Sequence, residues 1–454
     1  MRYPVTPWVP AILSLTALLL FGPAAAAEES TALGAELSPL WVIPFAILLL
    51  AIAVLPLTVP HWWEHNRNKA ILCLVLSVPV AIFFVLHDPH LLLEKLHEYA
   101  SFIVLLGALF VIAGGVLIRG TFTGTPLVNT AALGLGSLIA SFVGTTGASM
   151  LLIRPVLRAN ELRKHKVHVV VFFIFLVSNI GGCLTPLGDP PLFLGFLQGV
   201  PFAWTFRLAG QWAVCTAVLL VLFNLYDQYW FHREDLEAPG DLDKEIEVHP
   251  KLKIEGKINL IFLGGVIGAV LLAGQLGKAM PPGGQEALML LMAFLSLKLT
   301  PSEIRKANGF TWGPIIEVAV LFIGIFVTMM PALLILNARG KELGVTEPWQ
   351  YFWATGALSS FLDNAPTYLA LLSLAQGSGF ENEVVGVTHK VLAAIACGAV
   401  FMGANTYIGN GPNFMVKAIA EEAGVKMPSF FGYMVYSGLI LLPLFAGITF
   451  LFFR

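Results

Sequence analysis

The chain has 454 residues and a net charge of −2, with 57% hydrophobic and only 12% charged residues. Soluble domains carry about 25% charged residues, so this composition excludes an ordinary water-soluble domain and indicates a membrane protein. No long basic stretch is present, which argues against nucleic-acid binding. The four cysteines lie far apart in apolar runs without a C-x-x-C pair, so neither a disulfide framework nor a zinc ribbon is expected.

The first 27 residues have the features of a secretory signal peptide. Arg2 precedes an apolar stretch at residues 11–21, and four alanines at 24–27 provide an A-x-A-like cleavage site. The alternative is an uncleaved first helix. In both cases the chain from Thr31 is expected to begin on the periplasmic side of a bacterial inner membrane.

Most of the chain consists of apolar runs long enough to cross about 30 Å of hydrocarbon. Two further apolar regions, 126–157 and 349–376, are interrupted at their centres by GTTG (144–147) and DNAP (363–366). The uninterrupted runs lie near residues 40–59, 69–86, 98–118, 167–198, 207–230, 258–277, 284–299, 313–336, 388–413 and 430–452.

The distribution of lysine and arginine predicts that the two interrupted regions are re-entrant hairpins. Cytoplasmic segments carry an excess of basic residues. If 126–157 turns back, the basic cluster at 158–166 lies inside, whereas a single crossing would put that cluster outside. The loop at 377–387 has no lysine or arginine, as expected of an outside loop. We therefore predict an inward hairpin at 126–157, an outward hairpin at 349–376 and a periplasmic C terminus.

The two halves of the chain share sequence. The matches are residues 141–142 with 360–361, residues 165–167 with 389–391, and residues 182–193 with 403–414. The last pair aligns without gaps, and five of its twelve positions are identical. Because the basic residues put the paired segments in opposite orientations, the repeat is of the inverted-topology kind that many secondary transporters use.

We therefore predict an all-α polytopic membrane protein with two inverted-topology repeats, at 28–230 and 258–454. A charged cytoplasmic linker at 231–257 joins them. Each repeat contains one re-entrant hairpin and one broken transmembrane helix, at 167–198 and 388–413.

Both broken helices are expected to unwind near the middle of the bilayer, because glycines and prolines interrupt them. Unwound backbone is tolerated there only around a cavity or within protein. Oxygen ligands from carbonyl, hydroxyl and amide groups suit a small hard cation such as sodium. The polar side chains that collect at the two breaks are Ser178, Asn179, Thr185 and Asp189 in the first half and Asn405, Thr406, Asn410 and Asn413 in the second.

The hairpin tips are expected to complete one ion- or substrate-binding site. Their polar residues are Thr145, Thr146 and Ser149 in the first hairpin and Ser360, Asp363, Asn364 and Thr367 in the second. Each related pair of segments contains one carboxylate and one neutral oxygen ligand, since Asp189 aligns with Asn410 and Asp363 with the Gly144-Thr145 tip. The alternative is that these side chains only cap the broken helix ends.

Acidic residues inside a membrane are costly and mark functional sites. Asp189 and Asp363 are the main candidates, and Glu317 is a weaker one because it lies early in its span. A buried carboxylate resists carrying an uncompensated charge, so it can exchange a proton for a cation. Arg154, just past the first tip, could pair with an acid or an anionic substrate, or serve as a structural partner.

An H-x-x-E-H run at residues 61–65 matches a zinc-peptidase pattern. It lies in a short loop beside tryptophans typical of a membrane interface, and no further ligand cluster accompanies it. We therefore expect a transporter without a metal cofactor rather than an enzyme.

Two runs carry a family resemblance: Ser178–Pro191 (SNIGGCLTPLGDPP) and Ser360–Pro366 (SFLDNAP). They resemble the ion transporter superfamily, and within it the NhaD-like sodium:proton antiporters and the related "putative citrate transporter" group. The resemblance implies two repeats with inner and outer hairpins, a homodimer and an elevator motion of the transport domain. Family members have an Asp-Asn pair at the first tip, where this chain has Thr145-Thr146.

The first hypothesis is exchange of sodium or lithium for protons. Asp189 and Asp363 would alternate between protonated and cation-bound states, and the sodium ligands would come from Asp363, Asn364, Asn179 and Asn405. The second hypothesis is cation-coupled symport of citrate or a dicarboxylate, for which the neutral first tip leaves room. Export of an oxyanion such as arsenite is a third. Membrane lipid, a small cation and the proton, or a small carboxylate, are the expected partners.

Overall fold

The computed structural model describes residues 33–120, 122–237 and 253–454. The expected signal peptide at 1–27 therefore lies outside the described residues. In the described part, eight helical segments are long and apolar enough to cross a bilayer, and a ninth is formed by Gly313–Thr328 with Met330–Leu343, bent by 42°. The chain is thus a mostly helical, multi-pass membrane protein.

The helices before the linker follow one another with short connections. They are α1 (Ile43–Thr58), α2 (Pro60–Trp63), α3 (Asn66–His87), α4 (Pro89–Ala113), α5 (Pro126–Val143), α6 (Thr145–Ala159), α7 (Val167–Leu176), α8 (Pro190–Leu197) and α9 (Ala209–Glu237). Short 3-10 turns lie at Pro39–Val42, Ile180–Leu184 and Phe202–Leu208. Helix α9 continues seven residues into the segment predicted as linker, 231–257, because its apolar run is followed by residues that still favour a helix.

The helices after the linker are α10 (Ile258–Leu276), α11 (Gly284–Leu299), α12 (Ser302–Ala307), α13 (Gly313–Thr328), α14 (Met330–Arg339), α15 (Pro348–Phe361), α16 (Asn364–Gly377), α17 (His389–Met402), α18 (Gly411–Glu422) and α19 (Phe430–Ile448). Turns of 3-10 helix lie at Gly277–Ala279, Gly340–Leu343 and Gly403–Asn405, and a π-helical turn at Thr449–Phe453 ends the chain.

The fold is not purely helical. Strands β1 (Leu117–Arg119) and β2 (Lys253–Glu255) form an antiparallel pair that joins the end of α4 to the start of the second half. Arg119 Nε donates to Glu255 Oε2 at 2.7 Å, and this charge-assisted hydrogen bond holds the pKa of the Glu255 carboxyl below its usual value. The expectation of an all-α chain is corrected to this extent.

Burial separates peripheral helices from inner ones. Only 17–28% of the apolar windows of α1, α3, α10 and α19 is buried, against 78% for α4 and 94% for the segment Val167–Leu184. Leu74, Ile261 and Leu439 are among the exposed apolar side chains of the peripheral helices. Exposed apolar side chains on helices of spanning length are expected to contact lipid, whereas α4 and Val167–Leu184 are enclosed by protein.

Each interrupted region is a pair of helices with a sharp break. Helices α5 and α6 meet at Gly144, whose φ of +83° is a conformation that favours glycine. Helices α15 and α16 are separated by Leu362 and Asp363, which leave the helical region. The structure therefore has helix pairs where the two re-entrant hairpins are predicted.

All four cysteines are buried free thiols. Although they are far apart in the sequence, Cys183, Cys215 and Cys397 belong to one hydrophobic core. The broken segment after α7, which carries Cys183, packs against both α9 and α17.

Candidate functional site

The first broken helix unwinds between α7 and α8. Gly182 and Gly188 pack backbone against backbone there, and a Cβ on Gly188 would lie 2.1 Å from the Gly182 carbonyl oxygen. Helix α8 then starts at Pro190, because proline has no N–H to lose at a first helical position. Asp189 is the N-cap residue of α8 and therefore lies at the break itself.

The second broken helix has the same local plan 221 residues later. A Cβ on Gly409 would lie 2.6 Å from the carbonyl oxygen of Gly403. Asn410 occupies the N-cap of α18, and Pro412 lies in the first turn of that helix. The shared glycine and proline spacing thus produces the same turn twice, with an amide in place of the carboxylate.

A threonine hydroxyl fastens each break to a neighbouring hairpin. The Thr185 hydroxyl donates to the Ser141 carbonyl and accepts from Leu187 N at 3.2 Å. The Thr406 hydroxyl donates to the Ser360 carbonyl at 2.5 Å and accepts from two backbone N–H groups. A hydroxyl has one donor and two acceptor sites. The Thr406 oxygen is therefore saturated, and both threonines have a clear structural use.

The carboxylate of Asp189 lies at the centre of the site and is only 2% exposed. Its Oδ1 accepts from the Thr145 hydroxyl at 2.8 Å and from Asn410 Nδ2 at 3.2 Å. Its Oδ2 accepts from Asn364 Nδ2 at 2.5 Å. Both hairpins and both broken helices therefore meet at one carboxylate.

Four helix N-termini converge on this carboxylate. Thr145 is the first residue of α6, Asn364 is the first residue of α16, and Asn410 and Asp189 are the N-caps of α18 and α8. Free N–H groups and the helix dipole make each N-terminus electropositive. The arrangement favours a negative charge at the centre, although no lysine or arginine in the described ranges forms an ion pair with Asp189.

Amide and hydroxyl groups connect the two breaks to each other. Asn179 Nδ2 donates to Asn413 Oδ1 at 2.7 Å, and Asn413 Nδ2 donates to the Gly403 and Thr406 carbonyls at 2.8 and 2.9 Å. Asn410 Nδ2 lies 3.1 Å from the Ser178 carbonyl and 3.2 Å from Asn179 Oδ1. The Ser149 and Ser178 hydroxyls pair at 2.8 Å. These predicted site residues thus form one continuous network.

Two amide oxygens beside this network are buried without a hydrogen-bond donor. They are Oδ1 of Asn364, a residue that is fully buried, and Oδ1 of Asn405, whose own Nδ2 donates to the Ser360 hydroxyl at 2.9 Å. A buried polar atom without a partner costs about 1–3 kcal/mol. Asn364 therefore donates to Asp189 through its Nδ2, and its Oδ1 remains available to a cation.

Asp363 has a different environment from Asp189. Its Oδ1 accepts from Ala365 N at 3.1 Å and so caps α16, and its carbonyl accepts from the Thr367 hydroxyl at 2.9 Å. The side chain is half-buried rather than enclosed. The sequence could not separate the two acids, and the structure gives the central position to Asp189.

A cavity of about 70 Å³ opens beside the first hairpin tip. Thr145, Thr146 and Asp189 line it on one side, and Leu109 and Ile315 on the other. Small-molecule sites usually measure about 300 Å³ or more. The conformation described here therefore has room beside Asp189 for a few water-sized species. The apolar wall from α4 and α13 was missed in the sequence, because nothing in an apolar span marks a cavity lining.

Glu317, the weaker acidic candidate, is paired with a lysine in the described structure. Its Oε1 accepts from Lys69 Nζ at 2.7 Å, on the side of α13 that faces α3. Pro314, Ile315 and Val318 line the cavity on another face of the same helix. On a helix of 3.6 residues per turn, Glu317 lies about 60° from Pro314, about 100° from Val318 and about 160° from Ile315. Its side chain therefore lies to one side of the cavity-lining face, toward Lys69.

Arg154 is also away from the centre. Its Nη1 donates to the Asn308 carbonyl at 3.1 Å, in the connection between α12 and α13. Arg154 also lines a separate cavity of about 340 Å³ with Arg158, Lys166 and Glu422. The structural role weighed for Arg154 thus fits its surroundings.

Because the Lys69–Glu317 ion pair lies apart from Asp189, its removal should lower the stability of the protein and leave transport largely unchanged. We expect Lys69→Ala to lower the free energy of unfolding by about 1.5–3 kcal/mol, the range for hydrogen bonds to charged groups. Lys69 is only 2% exposed, so its loss also removes packing. Thermal unfolding in detergent would measure the change, and transport per folded molecule should stay within about twofold. A loss of transport by Lys69→Ala in folded protein would return Glu317 to the candidate site.

Comparison with known proteins agrees with a transport role. A family model described as "putative citrate transport" matches residues 34–453. An uncharacterized transporter of Synechocystis sp. (strain PCC 6803), slr0753, is 24% identical over 301 residues, which cover 59% of this chain and 63% of that protein. The match thus spans less than two thirds of the relative. Because the family model covers nearly the whole chain, this protein belongs to the citrate-transport family that the model describes.

Proposed function

We propose that this protein is a secondary transporter that exchanges sodium or lithium for protons across the inner membrane, with Asp189 as the shared proton and cation site. The observation that carries the proposal is the buried Asp189 carboxylate, which has no ion-pair partner among the described residues. A charge buried in this way needs a proton, a cation or strong dipoles. Exchange of the first two at one site couples their movements.

The neutral ligands of the proposed cation site are two amide oxygens, one on Asn364, whose Nδ2 donates to Asp189, and one on Asn405, whose Nδ2 donates to the Ser360 hydroxyl. Asn364 Oδ1 and Asn405 Oδ1 are the buried unpartnered acceptors. Sodium and lithium prefer such hard oxygen donors over nitrogen or sulfur. The small cavity lined by Asp189 and the Thr145-Thr146 tip has room for an ion and a few waters, and it borders the carboxylate rather than Asn364 or Asn405. Asn179, which the sequence suggested as a ligand, contributes by holding Asn410 and Asn413.

The proposed cycle needs the two repeats to have opposite orientation. Two features recur at an offset of 221 residues and support a repeat. One is the threonine hydroxyl that donates to a serine carbonyl of a hairpin, at Thr185 and Thr406. The other is the close approach of two glycine backbones at each break. With hairpin α5–α6 opening inward and hairpin α15–α16 opening outward, the site would be reached alternately from each side. Protonation of Asp189 would release the cation, and deprotonation would admit the next one.

A second candidate is cation-coupled uptake of a carboxylate. It is favoured by the family description and by the four helix N-termini around the centre, since half-helix N-termini bind anionic substrate groups in other transporters. A protonated Asp189 would remove the repulsion between its charge and the anion. The cavity of about 70 Å³ would have to enlarge to hold a tricarboxylate.

Transport by purified protein in proteoliposomes decides between the two. With an acid interior and a pH-sensitive dye, addition of sodium or lithium but not potassium should collapse the proton gradient. Glu317→Gln serves as a matched control, because it removes an intramembrane acid outside the site. No response to sodium or lithium in folded protein would refute the exchange. Uptake of labelled citrate driven by a sodium or proton gradient would establish the second candidate instead.

A further inference from the structure

A buried charged cluster lies at the base of the α5–α6 hairpin, at the end opposite its tip. We call it the base cluster, and its members are Asn129, Asn160, Arg163, His168, Asp227 and Glu234. None of the six is more than 6% exposed. The rise of 1.5 Å per residue puts the base about 20 Å from the tip at Thr145. The cluster is therefore separate from the Asp189 site.

The cluster fastens both arms of the hairpin to helix α9. Asn129, in the first turn of α5, and Asn160, just after α6, exchange two side-chain hydrogen bonds of 2.9 Å. Asn129 Nδ2 also lies 2.9 Å from Asp227 Oδ2. Arg163 donates to Asp227 Oδ1 at 2.6 Å and to Glu234 Oε2 at 3.0 Å. Movement of the hairpin base would break several of these bonds together.

His168 is the titratable member whose charge sets the balance. Its Nε2 lies 2.8 Å from Asp227 Oδ1. Arg163 contributes one positive charge, and Asp227 and Glu234 contribute two negative charges, so the cluster carries −1 when His168 is neutral. Protonation of His168 brings the sum to zero. Histidine is the side chain that ordinarily changes charge between pH 5 and 8.

Other charged groups near α7 are already engaged elsewhere. Helix α18 also packs on α7, and its Lys417 pairs with Glu421 at 2.8 Å. Glu422 lies with Lys166 in the cavity near the end of α6. On α9, the ring of Tyr226 meets His168 edge-on at 5.1 Å. Asp227 is thus the charged group that bonds to the imidazole, and Arg163 donates to the same Oδ1 at 2.6 Å.

The second half has an apolar residue at the position related to His168. Just after the run that matches residues 165–167, Leu392 stands where His168 stands in the first half. At the base of the second helix pair, Phe352 of α15 packs against Phe445 and Phe453 with ring centroids 6.2 and 4.9 Å apart. Replacing buried ion pairs by apolar residues is often neutral or stabilising. Packing a hairpin base therefore does not require a histidine at this position.

We propose that His168 is a proton-binding site that controls how firmly the α5–α6 hairpin is held at its base. The imidazolium form completes the charge balance with Asp227 and fixes the hairpin to α9. The neutral form leaves an excess negative charge in the buried cluster and loosens the base. Since the basic residues predict a cytoplasmic location for this base, the site responds to internal pH. The inference does not depend on which ion the central site transports.

Hydrogen exchange on the purified full-length chain tests this site directly. Amides at 122–170 should be protected about tenfold more at pH 5.5 than at pH 8.5, after correction for the intrinsic exchange rate, since protonation turns the hydrogen bond from His168 Nε2 to Asp227 into an ion pair. In His168→Gln the amide side chain still donates to Asp227 but cannot be protonated, so this pH dependence should disappear. Peptides from α15 and α16 should show no such dependence in either protein.

His165→Gln is the matched control. Its ring is exposed and stacks on Trp230 at 4.1 Å, and only its backbone N–H bonds to Glu234. It should keep the wild-type pH dependence. A flat wild-type profile overturns the proposal, and so does an equal dependence in wild type and His168→Gln. If His168→Gln does not fold, loss of the dependence in His165→Gln or a flat wild-type profile still overturns it.

Discussion

Asp189→Asn should abolish ion-coupled proton transport while leaving the fold intact. We expect the flux to fall at least about 100-fold. Mutation of residues that only hydrogen-bond to a metal ligand lowers metal affinity by about 10–100-fold, and Asp189 is proposed to bind the cation directly. Asparagine has the same shape and can keep hydrogen bonds to Thr145 and Asn410, whose groups can turn to suit it. Its neutral side chain avoids the cost of a buried charge, so thermal stability should be unchanged or higher. Dye-based flux and thermal unfolding on one preparation measure both effects.

The repeat supplies an informative partner for this substitution. Asn410 holds the position related to Asp189 and lies 3.2 Å from its carboxylate. The double variant Asp189→Asn with Asn410→Asp moves the carboxylate from residue 189 to its hydrogen-bond partner at residue 410, within the same site. We expect it to recover measurable flux relative to Asp189→Asn alone. Wild-type flux in Asp189→Asn would contradict the assignment of Asp189 as the exchange site.

Much of the architecture follows from local rules in the sequence. Apolar runs of sufficient length predict spanning helices, and Gly144, Gly188 and Pro412 predict the breaks, because these residues cannot continue a helix in those positions. The polar residues of the breaks were identified for the same reason, since unwound chain in a membrane must surround something polar. These signals are local, and the structure has interruptions where they occur.

The relations between distant segments could not be read from the sequence. Asp189 and Asp363 looked equivalent, but their difference depends on Asn364 reaching across 175 positions of sequence to the Asp189 carboxylate. The pairing of Lys69 with Glu317 spans 248 positions. Such contacts depend on which helix faces pack together, and mostly apolar spans with weak amphipathic patterns do not specify this.

Gly188→Ala should damage both stability and transport. The added Cβ would lie 2.1 Å from the Gly182 carbonyl oxygen and 2.7 Å from its carbon. Both are backbone atoms, so the two backbone segments at Gly182 and Gly188 must move apart. Overpacking costs about 1–3 kcal/mol even where side chains can adjust. We expect a lower unfolding temperature, and flux per folded molecule reduced by at least about tenfold, because Thr145 N bonds to the Gly188 carbonyl at 2.8 Å.

Gly411→Ala is the control for this effect, since it adds the same methyl group at the start of α18, close to the second break. No atom lies within 4 Å of the Cβ that it would introduce, and alanine favours the helix over glycine by about 1 kcal/mol. Its stability should therefore be equal to or above that of the wild type. If both variants lose stability to the same degree, the close backbone contact at Gly188 is not what forms the break. If only Gly188→Ala does so, the position of Asp189 depends on two backbone segments in direct contact.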